Sequence, residues 1–156
     1  MKKIFTIAAT LLILVGCGSS KTETVTTASC EMDNDGALYR NEFQSKDGAL
    51  TGMIQQVTLT KEFFGDRDVE AVNKNNETLQ ELYNIDGVTY SANFSEDNAD
   101  AYYREKVEIK INDENVKILT DIGLIDASLL SDDGVKLKDT KAIIEFYETL
   151  GYNCLY

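Results

Sequence analysis

The sequence predicts an α+β fold: an antiparallel β-sheet of hairpins packed on one face by two main helices, at about residues 66–84 and 139–150. Three observations carry this. Aspartate–glycine pairs at 35–36, 47–48 and 86–87 supply the positive-φ chemistry of tight turns in a chain that contains no proline. Apolar and polar residues alternate with a period of two from Val88 to Phe94 and again from Tyr103 to Ile111. Two segments carry instead a stripe near the 3.6-residue period of a helix.

The elements follow in order. Val25 to Lys61 reads as strands punctuated by turns at Asp33-Asn34-Asp35-Gly36 and Lys46-Asp47-Gly48. Between those turns Tyr39, Asn41 and Phe43 alternate with Leu38, Arg40 and Glu42. A third strand spans about Thr51 to Thr60, with Val57 and Leu59 on one face; the adjacent Gln55-Gln56 pair suggests a bulge there. From Asp66 to Asn84, Val69, Val72, Leu79, Leu82 and Tyr83 form a helical stripe with Asn76 in its gap. Asp66, Asp68 and Glu70 suit the positive end of the helix dipole.

In the next hairpin Val88, Tyr90, Ala92 and Phe94 share a face, as do Tyr103, Val107, Ile109 and Ile111, leaving Arg104, Lys106, Glu108 and Lys110 for water. A short helix after Asp113 carries Val116 and Leu119, and Thr120 to Val135 reads as a long, poorly patterned connection. The last helix presents Ala142, Ile143, Phe146, Tyr147 and Leu150, with Asp139 as N-cap and Gly151 as stop.

The N-terminus has a different character. Lys2-Lys3 precedes an apolar run from Ile4 to Val15 that ends in Leu14-Val15-Gly16-Cys17. That order is a bacterial secretion signal, and the run is well short of the roughly 20 residues that span a bilayer. A cysteine immediately after the cut is what lipoprotein processing needs, because its thiol takes the lipid. The expectation is a signal peptide at 1–16, a lipidated flexible tether at 17–29 beginning with Cys17, and one α+β domain at 30–156. Tether and first strand overlap in this reading at Val25–Ser29.

Charge and composition narrow the function classes. Without Lys2 and Lys3, 13 of the 15 basic residues stand against 27 acidic ones, a net charge of −14. Such a chain gains nothing from counterion release at phosphate, so no nucleic-acid partner is expected, and a surface location calls for a lipid anchor. The absence of histidine excludes Ser-His-Asp and Cys-His catalysis and histidine-ligated zinc. With Cys17 committed to lipid, Cys30 and Cys154 remain as an even pair in an oxidising compartment. Their spacing and acidic neighbour Glu31 argue for a structural disulfide over a reactive thiol pair.

Three constellations invite a sharper reading. Glu31 to Glu42 fits much of a twelve-residue calcium loop: Glu31, Asp33 and Asp35 at positions 1, 3 and 5, Gly36 at 6 and Glu42 at 12. Glu at position 1 and the lack of flanking helices favour a β-hairpin with calcium as the alternative. The acidic clusters Asp66/Asp68/Glu70, Glu96/Asp97/Asp100, Asp113/Glu114 and Asp132/Asp133 read as solvated turns and helix starts rather than an acid/base centre. Among eight tyrosines, Tyr102 alone is expected to point away from the core, marking the open sheet face as a contact surface.

The LVGC segment, the hairpin–helix order, Gly87-Val88-Thr89-Tyr90 and the run EDNADAYYREKVEIKINDENVKIL, with Gly134-Val135-Lys136-Leu137 leading into DTKAIIEFYETLGY, resemble the YehR-like bacterial lipoproteins, a family without an assigned biochemical role. The resemblance covers most of the chain after residue 16. It implies an antiparallel sheet with helices, places a strand on each side of the DNDG turn, and transfers no functional residue. The Cys30/Cys154 pair departs from at least some members, so the disulfide rests on this sequence alone.

The functional expectation is an extracytoplasmic lipoprotein held to the outer face of the cell membrane, or to an outer membrane. It acts as a non-enzymatic binding or accessory module with an unidentified envelope protein or ligand as partner. It needs no cofactor beyond the covalent lipid, with calcium the alternative. A hydrolase built on carboxylates alone is the remote enzymatic reading.

Overall fold

The computed structural model describes residues 25–156 apart from Asp133 and Val135. The expected signal segment, Cys17 and the first part of the tether lie outside these residues.

Three strands open the domain: β1 (Val25–Asn34), β2 (Ala37–Lys46) and β3 (Ala49–Leu59). Asp35 and Gly36 both take positive φ, 47° and 101°, and Asp47 and Gly48 repeat this at 53° and 83°. Those values match the primed two-residue turn whose twist suits adjacent strands. Gly36 has a second reason to lack a side chain: a Cβ there would stand 2.6 Å from Thr60 Oγ1. The overlap at Val25–Ser29 resolves in favour of the strand, because each of these residues pairs with β2, and Ala28 is buried opposite Phe43.

The expected bulge exists in another place. Register between β2 and β3 shifts at Gln44/Ser45, leaving Thr51 as the extra residue, and its hydroxyl donates to the Gln44 carbonyl at 3.1 Å. Gln55 and Gln56 keep the ladder, since Gln55 turns inward and donates to the Leu124 carbonyl at 3.0 Å. Sequence alternation blurs there because a polar side chain occupies a core-facing position with a specific partner.

Next come α1 (Lys61–Phe64), a single turn capped by Thr60 that the sequence pattern does not announce, and α2 (Val69–Leu82). The cap of α2 is Asp68, whose carboxylate accepts from the Glu70 amide at 2.9 Å, so the helix starts later than Asp66. Strands β4 (Val88–Phe94) and β5 (Tyr103–Lys110) form the second hairpin. They are followed by α3 (Val116–Asp121), a 3-10 turn at Ala127–Leu129, α4 (Thr140–Thr149) and β6 (Asn153–Leu155). Asp139 caps α4 through the Ala142 amide at 2.8 Å, and Gly151 follows it at φ +92°, as the sequence indicates.

All six strands are antiparallel neighbours in the order β4-β5-β3-β2-β1-β6. The core lies on one side of the sheet. Ala28, Cys30, Phe43, Met53, Val107 and Ile109 meet Leu119, Ile143 and Ile144 from the helices there. The stretch read as a loose connection is part of this core. Leu124, Ile125 and Leu129 are nearly solvent-free, and Leu130 bridges to Leu137. No period shows because these side chains leave an irregular backbone whose polar groups are satisfied one by one, as at the Leu124 carbonyl.

Candidate functional site

The calcium-loop residues are distributed along the β1–β2 hairpin. Glu31 pairs in register with Arg40, and the Arg40 Nε lies 3.0 Å from Glu31 Oε1 and 3.3 Å from Glu42 Oε1. The two terminal carboxylates therefore converge on an arginine. Asp33 accepts from the Gly36 amide at 3.3 Å, within the turn, and Asp35 is exposed at its tip. Asp33 pairs with Leu38, four strand positions from Glu42, a spacing of about 13 Å against the 2.3–2.6 Å oxygen contacts of calcium. Among the described residues no three His, Cys, Asp or Glu side chains are placed to hold a metal ion. From this geometry, millimolar calcium is expected to leave the melting temperature where magnesium or EDTA leaves it. A rise matching about 2.7 kcal/mol at a hundred times the dissociation constant, abolished by Glu42→Gln, would restore the loop reading.

Tyr102 does not mark the open sheet face. It ends the 3-10 turn at Ala99–Ala101 with φ −64° and ψ −44°, one residue before β5, so strand alternation does not govern its direction. Its ring packs 5.2 Å from Phe64 and 5.5 Å from Phe94, with Lys61 Nζ 5.4 Å over its face. Phe64 enters this cluster from α1, the element absent from the sequence reading. The acidic groups around it, Asp66, Asp68, Glu96, Asp97 and Asp100, are exposed.

Cys30 and Cys154 are joined by a disulfide. They face each other in the β1–β6 register with their Cα atoms 4.0 Å apart.

A tyrosine cluster lies between α2 and the sheet. The hydroxyls of Tyr103 and Tyr90 reach Asn76 Oδ1 at 2.9 and 3.2 Å, and Tyr103 also reaches Glu105 Oε2 at 3.0 Å. Tyr103 has one phenolic proton, so it serves Asn76 or Glu105 at any moment. Burial, and next the Glu105 carboxylate, raise the Tyr103 phenol far above its ordinary value and that of Tyr90 to about 12. Tyr147, on α4, is pushed up to about 12 chiefly by burial. A phenol that ionises near 10 unfolded and near 12 folded contributes stability that is complete below pH 10 and is lost as pH rises toward 12. The melting temperature is accordingly expected to fall above pH 10, and less steeply in Tyr147→Phe. A flat profile to pH 11.5 would contradict the burial argument.

A cleft of about 520 Å³ opens at one end of the sheet. Leu50, Ile111, Val116 and Leu137 line it with apolar surface, while Asp47, Asp113 and Lys136 bring charges to its rim. Lys138, Asp139, Thr51 and Asn112 line it as well, so the surface is mixed, and a concavity of a few hundred cubic ångströms is of the size that seats a small molecule or peptide. The Thr140 amide and hydroxyl both donate to the Gly48 carbonyl, at 3.0 and 3.1 Å, which ties the start of α4 to the β2–β3 turn and holds one wall. Val25 pairs with Lys46, so the described chain begins at this same end.

Of the sequence-derived candidates, Asp113 of the acidic pairs lines the cleft, as does the cap residue Asp139; the calcium-loop residues, the cysteines and Tyr102 do not. Its walls come from three segments far apart in the chain, 47–51, 111–116 and 136–139, and the local signal is slight: Lys136-Leu137 runs into the Asp139 cap.

No protein-family model matches the chain, and no curated protein matches it. Solved structures do. The NMR structure of the YehR protein of Escherichia coli is similar with a TM-score of 0.64 at 18% identity, covering 86% of this chain and 93% of that one. An NMR structure of a protein from Streptococcus pneumoniae TIGR4 matches with a TM-score of 0.59 at 13% identity, covering 99% of this chain and 98% of the other. At such identities the likeness speaks to architecture. The sheet order, the helices on one face and the extent of the overlap give this chain a YehR-like α+β fold.

Proposed function

We propose that the chain is a membrane-anchored extracytoplasmic lipoprotein of the YehR-like kind, serving the bacterial cell envelope as a non-enzymatic binding or accessory module. The reading is carried by Cys17, placed directly after the Lys2-Lys3 start and the Ile4–Val15 apolar run. The Cys30–Cys154 bond supports it, since such bonds persist where the surroundings are oxidising. Among the described residues no helix is long and apolar enough to cross a membrane, and anchoring is assigned to lipid on Cys17.

Seven residues separate Cys17 from Val25, a reach of about 25 Å when extended. That length keeps the cleft end of the sheet within a few nanometres of the bilayer, and the cleft is where an envelope protein or ligand is expected to bind. With no histidine in the chain, binding is favoured over catalysis.

Expressed in a bacterium, the full chain is expected to partition into the detergent phase with its N-terminal peptide heavier by the lipid. Cys17→Ser should move it to the aqueous phase. Retention of the variant in membranes at an unchanged mass would refute the anchor. A photo-crosslinking residue at Asn112 in the cleft should capture a partner that the same probe at exposed Asn75 does not. Equal capture at both positions, or none, counts against the cleft.

A further inference from the structure

We propose that α2 is a displaceable cover: it lifts from the sheet as a unit while the rest of the domain stays folded, exposing a strip of phenols and carboxylate on β4 and β5.

The two main helices are seated differently. Helix α4 buries Ile143 and Ile144 almost completely. Helix α2 spans 14 residues and buries none; Val72, Asn76 and Leu79 are half-covered, and Val69 and Leu82 are 38% and 48% exposed. Beneath it β4 is an edge strand whose inward side chains are all half-buried. A helix of this length is marginal by itself in water and depends on its apolar face being packed. Little of that face is packed here, so the opening of α2 costs far less than unfolding the core.

Its polar attachment to the sheet converges on one residue. Among the described residues, the side-chain hydrogen bonds from α2 to the sheet are those at Asn76, to Tyr90 and Tyr103; beside them the Tyr83 and Tyr90 rings meet at 5.6 Å.

The network beneath is built to survive the loss. When Asn76 leaves, the Tyr103 hydroxyl donates its hydrogen bond to Glu105, already 3.0 Å away, and keeps its proton, while Tyr90 turns to water. No buried hydroxyl is orphaned, which removes the usual penalty for breaking a partly buried polar contact. Gly65 at φ +59° and Gly87 at φ +82° bracket the segment, and the Gly87 carbonyl, accepting from the Lys110 amide at 2.7 Å, fixes its far end to the sheet.

Native-state hydrogen exchange on the full chain in detergent tests this. Amides of residues 73–82 are expected to exchange about a hundredfold faster than those at the centres of β3 and β5, through a shared opening whose denaturant dependence is clearly above zero and well below that of global unfolding. Asn76→Ala should speed exchange of α2 about tenfold, in keeping with the loss of a hydrogen bond, and leave β3 and β5 unchanged. Tyr90→Phe, which removes one hydroxyl at constant shape, should do the same to a smaller degree. Helix and sheet amides exchanging together in the wild type, or Asn76→Ala unfolding the whole domain, would overturn the proposal.

Discussion

The double substitution Cys30→Ala/Cys154→Ala is expected to lower the melting temperature by about 15 °C or more, the largest effect of any change that leaves the surface untouched. The bond spans a sequence separation of 124. Cross-linking so long a loop removes chain entropy from the unfolded state worth about 5 kcal/mol, a large share of the 5–15 kcal/mol that holds a typical domain together. For a domain of this size each kcal/mol moves the midpoint by roughly 3–5 °C. There is a local consequence too. Strand β6 has three residues and pairs only with β1, so the disulfide joins it to the sheet at its central register position, Cys30 to Cys154. Reduced wild type should melt with the alanine variant; a reduced protein as stable as the oxidised one would show that sheet pairing alone holds the C-terminus.

Phe43→Ala is expected to cost about 3–5 kcal/mol. Phe43 is fully buried, stands in register between Ala28 on β1 and Met53 on β3, and packs its ring 5.2 Å from Tyr147 of α4. Truncation opens a cavity at the junction of sheet and helix, bounded by strand backbones that cannot close in. Urea unfolding should show a lower midpoint at an unchanged slope. Phe43→Leu should recover more than half of the loss, because it refills most of the volume. A cost under 1 kcal/mol for the alanine variant would mean that α4 slides into the gap and that the sheet–helix interface is loose.

Much of this architecture was legible because it follows local rules. The Asp35-Gly36 and Asp47-Gly48 turns, the alternation in β4 and β5, the Asp139 cap and the Gly151 stop each lie in a short window, where backbone sterics or one hydrogen bond determine the outcome. The hairpin around the DNDG turn could also be read from the missing flanking helices, and the structure adds what the sequence could not: Arg40 stands between the Glu31 and Glu42 carboxylates.

The misreadings share a cause. Strand alternation does not reach Tyr102, which lies one residue outside the strand, where Phe64 from α1 draws its ring into an aromatic cluster. Polar residues break the pattern at Gln55-Gln56 without a bulge, because Gln55 satisfies the Leu124 carbonyl, 69 residues away. The connection after α3 looked featureless because Leu124, Ile125 and Leu129 are buried by chain that returns over them, and no period records such burial. The cleft is the extreme case, its walls drawn from the β2–β3 turn, the link from β5 into α3 and the approach to α4.

From the sequence alone came the fold class, the hairpins, both main helices and the cysteine pair, since each depends on residues close together in the chain or on composition; lipid on Cys17 is a proposal that rests on the sequence. Tertiary structure decided the strand order, the β6 pairing that brings Cys154 to Cys30, the position of the bulge, the aromatic cluster around Phe64, the loose seat of α2 and the cleft. Those depend on contacts between distant segments, whose energies come from burial and complementarity that neither segment possesses before the other arrives.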